Sequence, residues 1–223
     1  MGGKIDCYVD CNSPYSLYAV IYLRKNRKAL ESYGVEVEFF PVFLGGIMQN
    51  SGNTPPWKLP AKAKHGQLDG KRAQKYFGVE LTPPKFFPIM TLLPLRSMVY
   101  IKEKYPRDQY ETMLQELWTG YWGDHLDLSK PDIMSKVFAR HFKPEEVEQI
   151  MKAGTSPEYK QKLSKITGRL VESGAYGCPW FEVTNSKGKT EPFFGSDRWH
   201  YMYQFLDLPF QDIALPEKPQ TKL

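Results

Sequence analysis

The chain has 223 residues, of which 41% are hydrophobic, 14% aromatic and 25% charged. That excludes a disordered chain and suits one large folded domain or two small ones. The 30 Lys and Arg against 25 Asp and Glu leave a formal charge of +5, but no Lys/Arg block with interleaved aromatics occurs, so no nucleic-acid partner is expected. Cys7, Cys11 and Cys178 are too few for a disulfide framework, and no CxxC pair occurs. His65, His125, His141 and His200 are scattered, so no metal site is expected.

Ile5, Cys7 and Val9 alternate with Asp6, Tyr8 and Asp10, which predicts a strand. Ser13 then offers a helix N-cap and Pro14 a first helical position. Tyr15, Tyr18, Ala19, Tyr22 and Leu23 recur at helical spacing, with a stop expected near Tyr33 and Gly34 as C-cap. Residues 35–40 alternate again, giving a β-α-β opening long enough for parallel pairing. Residues 41–94 are rich in Pro and Gly, and long loops with short helices are expected there. From about Leu95 to Ser173 the pattern is helical. Tyr110, Met113, Leu114, Leu117, Trp118 and Tyr121 form one apolar stripe, and Ile133, Met134, Val137 and Phe138 another. Pro144 and Pro157, each followed by acids, mark helix starts. Residues 180–184 and 189–194 flank the turn at Asn185 and Gly188 and predict a hairpin, with Pro192 confining the second strand to an edge. Ser196 and Asp197 are expected to cap a last helix carrying Trp199, Met202, Tyr203 and Leu206. No apolar run is long enough to span a membrane.

Four short stretches carry chemistry. Ser13-Pro14-Tyr15-Ser16 stands at a strand-to-helix turn, where free N–H groups and the helix dipole favour an anion such as a thiolate. A serine there is no redox thiol, but its hydroxyl can donate to a thiolate brought by a substrate; it can equally be a plain N-cap. Cys178-Pro179 precedes the third strand. A cis bond there would turn backbone groups toward an extended peptide, and an ordinary trans bond would make it a mere strand start. Ser196-Asp197 can hold a carboxylate and an ammonium, or simply cap a helix. Asn53 lies in a Gly- and Pro-rich loop and offers a side-chain amide, or only a turn.

In this order, Ser13-Pro14-Tyr15-Ser16, Ser51-Gly52-Asn53-x-Pro55-Pro56, Gly177-x-Pro179 and Phe194-Gly195-Ser196-Asp197-Arg198 resemble the kappa-class glutathione transferases along nearly the whole chain. The resemblance implies an α/β fold. Residues 1–44 and 176–223 would form a thioredoxin-like glutathione-binding domain, and 45–175 a large all-helical domain inserted between its halves. It also implies glutathione as co-substrate, a small electrophilic or peroxide second substrate and a homodimer. Ser13 would face the glutathione sulfur as the catalytic serine. Pro14, Tyr15, Asn53, Cys178, Pro179, Ser196 and Asp197 would hold the peptide, Ser196 and Asp197 at its γ-glutamyl end.

Cys178 departs from an expected aliphatic residue, and Cys11 lies two residues before Ser13. Cys11 could form a mixed disulfide with glutathione or serve as a small buried residue. Three other readings stay open: an isomerase similar to the 2-hydroxychromene-2-carboxylate isomerases, a binding module without turnover, and a DsbA-like oxidoreductase, against which the missing CxxC argues. The short segment before the first strand leaves no room for a signal peptide, so an intracellular location is expected, in peroxisome, mitochondrion or cytoplasm. Thr221-Lys222-Leu223 is similar to the peroxisomal Ser-Lys-Leu address, and is otherwise an ordinary tail.

Overall fold

The first strand alternates as its sequence requires. In β1 (Gly3–Val9), Ile5, Cys7 and Val9 are fully buried on one face of the sheet. The computed structural model describes residues 2–211; the Thr221-Lys222-Leu223 tail lies outside them. Helix α1 (Pro14–Ser32) follows, with Ser13 as N-cap, and it ends on Tyr33. Gly34, one residue later, takes the left-handed φ of 73° that turns the chain into β2 (Val35–Pro41).

The sheet order is β2-β1-β3-β4, with β3 spanning Trp180–Asn185 and β4 Thr190–Phe194. β1 and β2 run parallel; β3 is antiparallel to both β1 and β4. Cys7 sits opposite Phe39 on one side and Phe181 on the other, so the inward apolar rows line up across three strands. β4 is an edge strand and carries Pro192, as its missing N–H demands.

Between β2 and β3 the chain forms α2 (Leu44–Ser51), a 3-10 turn (Pro56–Lys58) and the helices α3 (Pro60–Phe77), α4 (Leu92–Lys104) and α5 (Arg107–Trp118). A π turn (Thr119–Gly123), α6 (Pro131–Phe138), α7 (Pro144–Thr155) and α8 (Pro157–Glu172) complete the block, and α9 (Trp199–Phe205) closes the described chain. This is the thioredoxin-like α/β architecture with a helical insertion that the sequence implied. The largest apolar cluster runs without a break from Ile5, Leu23 and Phe181 to Met113, Trp118, Val137 and Ile150 of the inserted helices. Tyr8, on the other face of the sheet, packs with Ile47 of α2 and Leu170 of α8. No described helix is long and apolar enough to cross a membrane.

Two expectations are corrected. Residues 60–77 are one 18-residue helix, not loops and short helices. No residue of α3 is buried, so it has no apolar stripe to reveal it; Ala, Lys, Arg and Gln carry it by propensity. Ser196 and Asp197 do not cap α9. They lie in a turn after Gly195, whose φ is 92°, and the N-cap is Arg198, without a side-chain cap bond.

Candidate active site

Past Val9 the chain leaves the sheet at Asp10, which is completely buried. A buried carboxylate requires donors, and Asp10 finds them on three segments. It accepts from the backbone N–H of Asn12 at 2.9 Å, from that of Leu44 at the start of α2 at 2.8 Å, and from the Thr91 hydroxyl ahead of α4 at 3.0 Å. Burial pushes its carboxyl up to about 6, outweighing the hydrogen bonds from Asn12, Leu44 and Thr91 that pull it down. Two indoles hold the next carbonyls. Trp122 Nε1 donates to Cys11 at 2.7 Å, and Trp118 Nε1 to Ser13 at 2.9 Å. Asn12 Nδ2 donates to the Ile89 carbonyl at 2.8 Å. The serine turn is therefore fixed by the helical insertion on several sides.

Ser13 caps α1 as the sequence predicted. Its backbone is extended, and Oγ accepts from the Ser16 N–H at 3.2 Å. The same hydroxyl donates to the carbonyl of Cys178 at 3.2 Å. The Cys178-Pro179 bond is cis, as the turn-facing reading expected. Asn53 Nδ2 donates to the Tyr176 carbonyl at 2.7 Å and so ties the 50s loop to the segment that leads into Pro179. Ser16 is fully buried and turned away from solvent.

Two cavities flank this turn. The larger, about 850 Å³, is lined by Tyr15, Cys178, Pro179, Ser196 and Asp197, five of the eight residues singled out from the sequence. Its wall carries both signs of charge, Asp69 and Asp197 with Arg72 and Arg198. Tyr15 donates to Asp69 Oδ2 at 3.3 Å, and Tyr22 stacks on Trp199 with centroids 4.1 Å apart. The smaller cavity, about 460 Å³, is lined by Asn12 and Asn53 among mostly apolar side chains. Ser13 and Pro14 line neither; Asn12 borders the smaller cavity and Tyr15 the larger.

The chain's own thiols are poor nucleophiles. Burial pushes Cys7, Cys11 and Cys178 well above the usual thiol range, and Asp10 pushes Cys11 and Cys178 further. Sequence reasoning passed over Asp10, Trp122, Asp69 and Arg72, and took Trp118 for core alone. The signal for the two tryptophans was chemical: a buried indole N–H needs an acceptor. Asp10 was visible only as an acid at the end of an apolar strand.

The serine turn, the cis-proline and the mixed sheet define a DsbA-like thioredoxin protein, and the family model described as "DSBA-like thioredoxin domain" matches residues 4–207. The chain is 31% identical to "Glutathione S-transferase kappa 1" of Caenorhabditis elegans over 92% of both chains. It is 26% identical to "Glutathione S-transferase kappa 1" of Homo sapiens, over 91% of this chain and 90% of that one. The chain belongs to the kappa-class glutathione transferase family. The solved structure of a 2-hydroxychromene-2-carboxylate isomerase shares the fold, with a TM-score of 0.72 at 17% identity over 92% of this chain and 94% of that one.

Proposed function

We propose that this protein is a glutathione transferase that binds glutathione in the larger cavity and activates its thiol at Ser13. The observation that carries the reading is the Ser13 hydroxyl, capped onto α1 by Ser16 and pointed at Cys178 beside the cis-proline. Glutathione is an extended peptide with two carboxylates and one ammonium. The paired charges of the cavity suit those ends, with Asp197 beside the ammonium and Arg198 beside a carboxylate. Kinship with transferases of the kappa class supports the same reading.

A free thiol has a pKa of about 8.5. Lowering it by ~2 units needs about 2.7 kcal/mol of preference for the thiolate. A helix N-terminus contributes roughly 0.3–2 kcal/mol, and a hydrogen bond to a charged acceptor about 1.5–3 kcal/mol. Ser13 and the end of α1 together suffice without a base. Oγ keeps its position; only the O–H turns, from the Cys178 carbonyl to the sulfur. The thiolate then attacks an electrophilic carbon, forming the S–C bond as the leaving group departs with its electron pair. With a hydroperoxide, the sulfur takes OH as the O–O bond breaks and alcohol leaves, and a second glutathione yields disulfide and water.

The homodimer, the division at residues 44/45 and 175/176 and a location in peroxisome, mitochondrion or cytoplasm belong to this proposal. The test is the thiolate absorbance of bound glutathione as pH is varied. A bound pKa well below the free value supports activation; an unshifted pKa overturns it.

A further inference from the structure

The chain's positive charge is concentrated in one place. Seven of its 30 Lys and Arg and two of its 25 Asp and Glu fall within residues 58–85, a surplus of five that equals the formal charge of the whole chain. The remaining residues balance. Most of this charge stands on α3. Lys64, Leu68, Lys71 and Lys75 recur at intervals of four, three and four residues and so share one face of the helix. All four are exposed, whereas Ala63, Asp69, Ala73 and Phe77 of the opposite face are half-buried. Leu68 and Tyr76 are left 57% and 78% exposed, and Leu59, just ahead of the helix, is exposed too. Among the described residues, no acid pairs with Lys62, Lys64, Lys71, Arg72 or Lys75.

We propose that this face of α3 is a docking surface for an anionic lipid membrane. A row of unpaired cations is attracted to the negative headgroups of such a surface. Apolar side chains set among the cations, here Leu59, Leu68 and Tyr76, suit the boundary between headgroups and acyl chains, where the lysine stems also find cover. That mixture favours a membrane over an acidic protein, for which the lysines alone would serve. A second copy of this chain does not suit the face, because two such rows brought together set like charges opposite each other. The inward side of the same helix, with Asp69, Ala73 and Phe77, lines the larger cavity. A chain held by α3 therefore keeps that cavity close to the bilayer. The proposal stands on the charge and exposure of α3 and is independent of the transferase reading.

Sedimentation of the full chain with vesicles tests this, comparing phosphatidylcholine alone with phosphatidylcholine containing about one-third phosphatidylserine. Binding is expected to the anionic vesicles only, and should fall at least about tenfold as salt is raised from about 0.05 M to about 0.5 M. Lys71→Gln should weaken it about fivefold, and Lys64→Glu, Lys71→Glu and Lys75→Glu together should abolish it. Leu68→Ser should weaken it about threefold, through lost apolar contact, at an unchanged salt dependence. These four side chains are exposed and line neither cavity, so the variants keep the fold, which circular dichroism checks. No binding to the anionic vesicles, equal binding to both kinds of vesicle, or undiminished binding by the triple variant overturns the proposal. Firm binding to immobilised poly-glutamate without binding to the anionic vesicles overturns it in favour of an acidic polypeptide.

Discussion

Trp118, the last residue of α5, donates its indole N–H to the carbonyl of Ser13 at 2.9 Å, across 105 residues of sequence. The side chain is almost completely buried, so the bond is shielded from water and joins the helical insertion to the serine turn. Trp118→Phe keeps most of the ring and deletes the donor. It should cost about 0.5–1.5 kcal/mol of stability by deleting a buried hydrogen bond, which leaves the Ser13 carbonyl with the Ser16 N–H at 3.2 Å. It should also lower kcat more than glutathione affinity, because the turn that carries Ser13 loosens. Urea unfolding and steady-state kinetics on one preparation check both.

Ser13→Ala removes the cap and the hydroxyl together. Stability should fall by about 1 kcal/mol, and turnover by on the order of 100-fold, as when a single preorganised donor to a developing anion is lost. Glutathione affinity by calorimetry should stay close to that of the parent. Unchanged turnover would remove Ser13 from the mechanism.

Asp10 gives a pH signature. Its folded pKa, about 6, stands above the unfolded value of about 3.9. Between these values the folded state holds more protons than the unfolded one. Stability therefore falls as pH rises from about 4 to about 6, by about 3 kcal/mol in all, and levels off above. Glu103 and Glu182 act in the opposite sense: despite burial that raises them, hydrogen bonds from Lys162 and Arg169 hold them below the usual range. The comparison is therefore made with Asp10→Asn. That variant should be less stable, since an amide N–H₂ meets the donors Leu44 N–H and Thr91 O–H, and its urea midpoint should lose the fall that Asp10 causes. Parallel pH curves for parent and variant would contradict the assignment.

Asn53 contributes a donor, and the choice of substitution separates that from shape. Asn53→Asp keeps the outline and cannot donate to Tyr176. It should weaken glutathione binding as much as Asn53→Ala, by up to about tenfold. If Asn53→Asp binds like the parent, the amide bond to Tyr176 is not what holds the segment before Pro179.

What the sequence made legible were features with a local physical cause. Ile5, Cys7 and Val9 alternate because one face of β1 is buried, and Ser13 precedes Pro14 because a helix start needs an acceptor. The hairpin at Asn185 and Gly188 is a short-range property too. α3 was missed because nothing on it is buried and Pro60, Gly66 and Gly70 suggest interruption. Ser196 and Asp197 have the composition of a cap, but the positive φ at Gly195 delays the helix to Trp199. The allocation of Asn53 and Tyr15 to different cavities, and the clamp on Asp10, depend on contacts between residues far apart in sequence, which periodicity does not encode.

Pro192 has a consequence beyond its place in the ladder. A four-stranded open sheet offers its outer strands as templates on which another chain can add. On β4 one of the donors such a stranger would need is missing, and Lys189 and Glu191 pair beside it at 2.5 Å. The margin of the sheet is thereby blunted against runaway strand-by-strand association.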